Sequence, residues 1–196
     1  MLYTIARIVF TIYFRLFYRL KIYGREHLPS DGGLIVCANH ISGADAMLVG
    51  LTIKRKVYFV GKEELFKNKL FGKVLIGLGA IPTNRSKASM ETMRTSVNLL
   101  KEGNVLGIFA QGTRMSADDI SSAKSGVSLF ALKAKVPVLP IFISAPRFRI
   151  FSKIEVFVGK PLSLEKYEGL KLKTDVLEMV TEEIMQAIGS LKGGRD

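Results

Sequence analysis

Short apolar runs that end abruptly in clusters of small and polar residues constrain this chain most. Leu34–Ala38 stops at Asn39-His40, and Val105–Phe109 stops just before Gln111-Gly112-Thr113-Arg114. Residues 57–60, 136–143 and 154–158 are similar runs. Each is too short for a stable helix and lacks the alternation of a half-wet strand, so each reads as a strand buried on both faces. Between them lie helical patterns at residues 43–51, 63–78 (broken near Gly72), 90–101, 127–134 and 174–191. Buried strands alternating with helices predict one α/β domain with a central, largely parallel (mixed) sheet flanked by helices. A chain of 196 residues is enough for one such core. In these sheets ligands bind beyond the carboxyl ends of the strands, so the polar clusters there are the places to look for chemistry.

Residues 1–23 precede that pattern and read as a separate helix. They are apolar nearly all round but interrupted by Arg7, Arg15 and Arg19, which fall within an arc of about 120° at helical spacing. A bilayer-spanning helix needs about 20 apolar residues with few charges, and the longest charge-free run here is residues 8–14. No basic segment precedes the run and no small-residue cleavage site follows it, so it does not read as a signal peptide. An aromatic helix with a narrow arginine stripe suits the bilayer interface; the alternative is a buried core helix. The expected organisation is a membrane-associating helix over residues 1–24, then a single domain over 25–196.

Charge narrows the partners. There are 29 Lys and Arg against 17 Asp and Glu, a net charge of +12, and mean hydropathy is +0.24. Such an excess attracts nucleic acid, an anionic bilayer, or phosphorylated substrates and acidic carriers, and charge alone does not choose among them. The one cysteine, Cys37, excludes an internal disulfide and, inside an apolar run, reads as a poor nucleophile.

The first polar cluster is Asn39-His40-Ile41-Ser42-Gly43-Ala44-Asp45. Ser42 and Asp45 have the spacing of a capping box, which predicts Ser42 as cap of the next helix with Asp45 in its first turn. His40 then stands just outside that helix, where the loop can fold its ring toward the Asp45 carboxylate. On a continuous helix residues five apart diverge by about 140° and pair poorly. A carboxylate accepting one ring N–H sets the tautomer, and the other nitrogen can take a proton from a hydroxyl. The blander reading is that Asp45 only caps and His40 only fills a turn. His27 has no evident partner and reads as structural.

Residues 79–85, ending in Arg85, and Gln111-Gly112-Thr113-Arg114 place an arginine at the end of an apolar segment beside turn-forming residues. Arginine binds phosphate through two parallel N–H bonds, and neighbouring glycines let backbone amides approach an anion. Lys124, with Ser125 and Gly126, is another anion-friendly helix start. The sequence has no Gly-x-Ser-x-Gly elbow, no phosphate-binding Walker loop, no dinucleotide fingerprint and no His/Cys set with metal spacing. A histidine base with an acidic orienter but no side-chain nucleophile fits direct attack of an acceptor hydroxyl on an already activated acyl group.

In this order, the clusters resemble the glycerolipid acyltransferase family related to lysophosphatidic acid acyltransferase. Asn39-His40 through Asp45 matches the family's Asn-His-x4-Asp motif, residues 79–85 its second motif, Gln111 to Arg114 its third, and residues 136–141, Val-Pro-Val-Leu-Pro-Ile, its fourth. The resemblance covers roughly residues 25–162. It implies that His40, oriented by Asp45, deprotonates the hydroxyl of lysophosphatidic acid for attack on acyl-CoA or acyl carrier protein, giving phosphatidic acid. Arg85 and Arg114, with Gln111, Gly112, Thr113 and Lys124, would bind substrate. Val136, Pro137 and Val138 would shape the acyl or acceptor pocket. No metal or cofactor is expected beyond the acyl co-substrate, nor nucleic acid; the expected location is peripheral, on the cytoplasmic face of the cell membrane. The third motif usually begins with Glu where this chain has Gln111, which opens the acceptor to glycerol 3-phosphate or a lyso-aminolipid. A catalytically silent basic membrane-binding protein is the rival from another class.

Overall fold

The computed structural model describes residues 1–83, 90–110, 126–145 and 150–194. Seven strands form one sheet: β1 (Arg19–Tyr23), β2 (Leu34–Ala38), β3 (Val57–Lys62), β4 (Ala80–Thr83), β5 (Val105–Phe109), β6 (Val138–Ser144) and β7 (Lys153–Val158). Their spatial order is β1-β7-β6-β2-β5-β3-β4, and every neighbouring pair is parallel except the antiparallel pair β6–β7. The α/β architecture with a largely parallel, mixed sheet is therefore as the apolar runs predict.

All five side chains of β2 are buried, as the central position of an unalternating strand requires. Parity divides them between two cores. Leu34, Val36 and Ala38 pack on one face with α1 (Leu2–Phe17) and α2 (Asp45–Thr52). Ile35 and Cys37 pack on the other, beneath α4 (Met90–Lys101), α5 (Gly126–Ala134) and α6 (Thr174–Ser190). The remaining helix, α3 (Lys69–Gly77), follows a one-turn 3-10 helix at Glu63–Phe66. The helical pattern over 63–78 is thus broken at Asn68 rather than at Gly72, because the Asn68 side chain accepts from the Leu70 and Phe71 amides and starts a new helix.

The amino-terminal reading needs correction. The helix stops at Phe17, and Arg19–Tyr23 is an edge strand paired in parallel with β7. Within it Arg19 and Lys21 are exposed while Leu20 and Ile22 turn inward, the two-residue period of a strand. The arginine stripe does not survive either. Arg7 lies on the inward side of α1 and donates to the Lys54 carbonyl at 2.7 Å, on the same side as Tyr3, Phe10 and Phe14. What α1 presents outward is a row of Ile5, Ile8, Val9, Ile12 and Leu16, with the exposed Arg15 at its edge. Among the described residues no helix is long and apolar enough to cross a membrane.

Gly107 shows how tightly the sheet's upper layer is set. A Cβ there would overlap the ring of Phe59, the residue paired with Gly107 on β3. Gly107→Ala should therefore cost about 1–3 kcal/mol of stability, the range for overpacking a filled site. A fall of several degrees in melting temperature, read by circular dichroism, is expected; an unchanged midpoint would mean the ring is free to swing aside.

Candidate active site

β2 runs into the sheet's centre and ends at Ala38, and the chain must leave the ladder there without abandoning its polar groups. Asn39 does this with its side chain. Fully buried, its Nδ2 donates to the Ile143 carbonyl at 2.9 Å and its Oδ1 accepts from the Ile143 amide at 2.7 Å. The amide thereby prolongs the β2–β6 ladder by one rung and fixes the exit direction of the chain. His40 comes next, on the α2 side of the sheet by the parity of Leu34, Val36 and Ala38.

The His40 Nδ1 stands 2.8 Å from Asp45 Oδ2, with the histidine side chain 18% exposed and the aspartate fully buried. The same oxygen accepts from the backbone amides of Ile41 and Ser42, each at 2.7 Å. This geometry requires a proton on Nδ1, so Nε2 carries the lone pair of the neutral ring. Holding the loop and orienting the imidazole are therefore compatible, since one carboxylate oxygen does both. The expected capping box, however, is reversed. Ser42 makes no cap to α2; its Oγ accepts from Ala44 N at 3.2 Å, and the carboxylate in the first turn reaches back to the loop.

Two aromatic rings complete the pair's setting. Phe109, the last residue of β5, stacks on His40 with ring centroids 4.1 Å apart and planes inclined by 14°. Phe59 from β3 continues the column, 5.7 Å from Phe109 and inclined by 13°. Asp45 blocks rotation of the imidazole about one edge and Phe109 covers one face. The sequence places Asn39 in the motif but predicts neither its bonds to Ile143 nor the stacking of Phe109. The available signal was two-residue parity, which puts Val105, Gly107 and Phe109 on one face of β5.

The other expected residues divide into two groups. Arg85, Gln111, Gly112, Thr113, Arg114 and Lys124 lie outside the described residues. The strands that precede them, β4 and β5, end on the side of the sheet where His40 stands. Val136, Pro137 and Val138 are a correction. Val138 pairs with Ile35, so this segment lies at the opposite end of β2 from His40. The Val138 side chain is fully buried beneath α5 and α6. The stretch of β6 that reaches the histidine is its far end, at Ile143. Cys37 and His27 are as expected: burial pushes the Cys37 thiol up to about 12, and His27 Nδ1 is 3.0 Å from the Val158 carbonyl.

Comparison with known proteins gives a consistent picture. A family model described as Acyltransferase matches residues 19–144. The chain is 31% identical over 182 residues to the 1-acyl-sn-glycerol-3-phosphate acyltransferase of Bacillus subtilis (strain 168), with 90% of each chain covered. It is 25% identical over 189 residues to the protein of the same name from Borreliella burgdorferi, covering 89% of this chain and 73% of that one. Its fold superposes with a TM-score of 0.75 on the crystal structure of the 1-acyl-sn-glycerophosphate (LPA) acyltransferase PlsC from Thermotoga maritima. That match has 24% identity and covers 100% of this chain and 81% of that one.

Removing the carboxylate should leave His40 Nδ1 and two loop amides without their shared acceptor. Asp45→Ala is expected to cost about 2–4 kcal/mol, since hydrogen bonds to a charged group are worth more than neutral ones and each orphaned buried donor adds a penalty. A urea unfolding midpoint unchanged from wild type would contradict this.

Proposed function

The chain belongs to the acyltransferase family, and from that premise we propose that it transfers a fatty acyl group from acyl-CoA or acyl carrier protein to the free hydroxyl of lysophosphatidic acid, forming phosphatidic acid. The observation that carries this reading is the His40 Nδ1–Asp45 Oδ2 contact of 2.8 Å at the carboxyl end of the central strand. The acceptor hydroxyl gives its proton to His40 Nε2 as its oxygen bonds to the thioester carbonyl carbon. Collapse of the tetrahedral species re-forms the carbonyl and breaks the C–S bond. The departing thiolate takes the proton from the imidazolium, which Asp45 stabilises while it exists. No acyl-enzyme is needed, which suits a site whose one thiol is buried and protonated.

Arg85 and Arg114 are assigned to the acceptor phosphate, with Gln111, Gly112, Thr113 and Lys124 beside them. Gln111 supplies a carbonyl acceptor and two N–H donors where a glutamate would supply negative charge. Arg114 is then less neutralised and suited to an anionic head group. The outward row of Ile5, Ile8, Val9, Ile12 and Leu16 supports peripheral attachment to a bilayer, and the charge of +12 favours its anionic cytoplasmic face.

The test is a panel of acceptors (lysophosphatidic acid, glycerol 3-phosphate, a lyso-aminolipid and water) against radiolabelled acyl-CoA and acyl carrier protein. Transfer to lysophosphatidic acid is expected to dominate. Thiol release without acyl transfer, or no turnover, would overturn the proposal. His40→Ala should lower kcat by about 10²–10⁴-fold with the far-UV spectrum unchanged, the usual worth of a positioned base. Arg85→Ala should instead raise the KM for the phosphorylated acceptor about tenfold or more while kcat changes far less, as loss of a phosphate contact does.

A further inference from the structure

Large exposed apolar side chains gather at one end of the sheet from three separate parts of the chain. β1 and β7 run opposite to β2, so the last turn of α1 and the start of β7 lie at the end where β2 delivers His40. There Phe17 is 40% exposed, Ile150 61% and Phe151 66%. β3 runs with β2 through β5, so the segment after β3 reaches the same end, where Leu65, Leu70 and Phe71 are all at least half exposed. β7 and β3 each lie two strands from β2, about 10 Å away at the usual strand spacing. The two groups therefore flank the histidine.

Neither group hangs loose. Phe151 has φ of +65°, a conformation disfavoured for an aromatic residue, and its amide donates to the Phe17 carbonyl at 2.7 Å. The neighbouring rung, Arg19 N to Ser152 O at 3.0 Å, fastens the same connection to the end of α1. The backbone thus adopts a strained turn whose result is a phenyl ring held in the open. On the other side, the Asn68 cap orders the first turn of α3 at Leu70 and Phe71. Of that helix's residues only Gly72 is buried. Lys67, Lys69 and Lys73 around it, and Arg15 beside Phe17, are exposed.

We propose that Phe17, Ile150 and Phe151 on one side, and Leu65, Leu70 and Phe71 on the other, form an apolar rim that seats the His40 end of the sheet in the interface of an anionic bilayer. The inference rests on the acyl-transfer reading for its purpose, because an amphiphilic acceptor would then enter from the lipid without crossing water. The occupant is argued from charge and shape: a bilayer accepts discontinuous apolar side chains at one level while lysines and arginine beside them meet lipid phosphates. The rim is also continuous with the outward row of α1 through Leu16 and Phe17. The row and the rim together set an orientation that the row alone would leave free to roll.

The chain contains no tryptophan, so a single introduced one reports without background. Phe151→Trp and Leu70→Trp should be quenched by brominated lipid in vesicles of phosphatidylcholine and phosphatidylglycerol. Met179→Trp, on the outer side of α6 and half exposed, should not be. The double substitution Ile150→Ser with Phe151→Ser should weaken vesicle binding about tenfold, in proportion to the apolar area withdrawn, and leave turnover of a short-chain, water-soluble acceptor unchanged. Ile12→Ser serves as the comparison. If it abolishes vesicle binding while the probes at 151 and 70 stay unquenched in bound wild-type background, α1 docks alone and the rim proposal falls. It falls equally if the double variant binds vesicles as wild type does, or if wild type ignores vesicles and light scattering shows a dimer that the double variant loses. Quenching and binding are read without catalysis, so failure of the acyl-transfer reading would leave this result standing.

Discussion

A single oxygen of a fully buried carboxylate, Asp45 Oδ2, receives the His40 imidazole and two consecutive loop amides, and the site is organised around that convergence. Burying an ionised group is costly unless donors surround it. Here the donors are the imidazole and the amides that the chain exposes as it leaves a strand and enters a helix, which need an acceptor anyway. All are on Oδ2, while the buried Oδ1 has no partner among the described residues. The same contacts that make the buried charge tolerable also fix the loop and the histidine tautomer. Holding the loop and orienting the imidazole are inseparable at Asp45 for this reason, and under the proposed acyl transfer a ring mounted this way would need little reorganisation to take a proton from a hydroxyl.

The sheet supplies what that local motif cannot. Asn39 ties the loop to β6, Phe109 at the end of β5 covers the imidazole, and Phe59 on β3 backs Phe109. These contacts come from strands separated in sequence but adjacent in the order β6-β2-β5-β3. Gly107 belongs to the same set although it touches neither His40 nor Asp45, since its missing side chain is the space in which Phe59 lies. The antiparallel β7 and its partner β1 bring the last turn of α1 to the end of the sheet where His40 stands. Phe17 and Phe151 therefore stand at that end, beside a site built by quite different residues.

Several features were legible before any coordinates. The strand–loop–helix placement of His40 and Asp45 was readable because the two are five residues apart and only a bend between them allows contact. The central strands were readable because full burial leaves an unbroken apolar run. Residues 19–23 were misread: their two-residue alternation is real, but it directly continues a helical apolar stretch and is only five residues long. Val136–Val138 were misplaced for another reason. Their composition reads as a strand, but which end of that strand faces the histidine depends on register with β2.

The amino-acid sequence by itself determined the alternation of buried strands and helices, the pairing of His40 with Asp45 and the excess of positive charge, because each depends on residue type and short spacing. Tertiary structure alone decided which rings stack on His40, which end of β6 approaches it, and that Phe17, Phe71 and Phe151 surround one end of the sheet. Those relations depend on strand order and direction, which bring together residues as far apart as Phe17 and Phe151, and no local pattern encodes them.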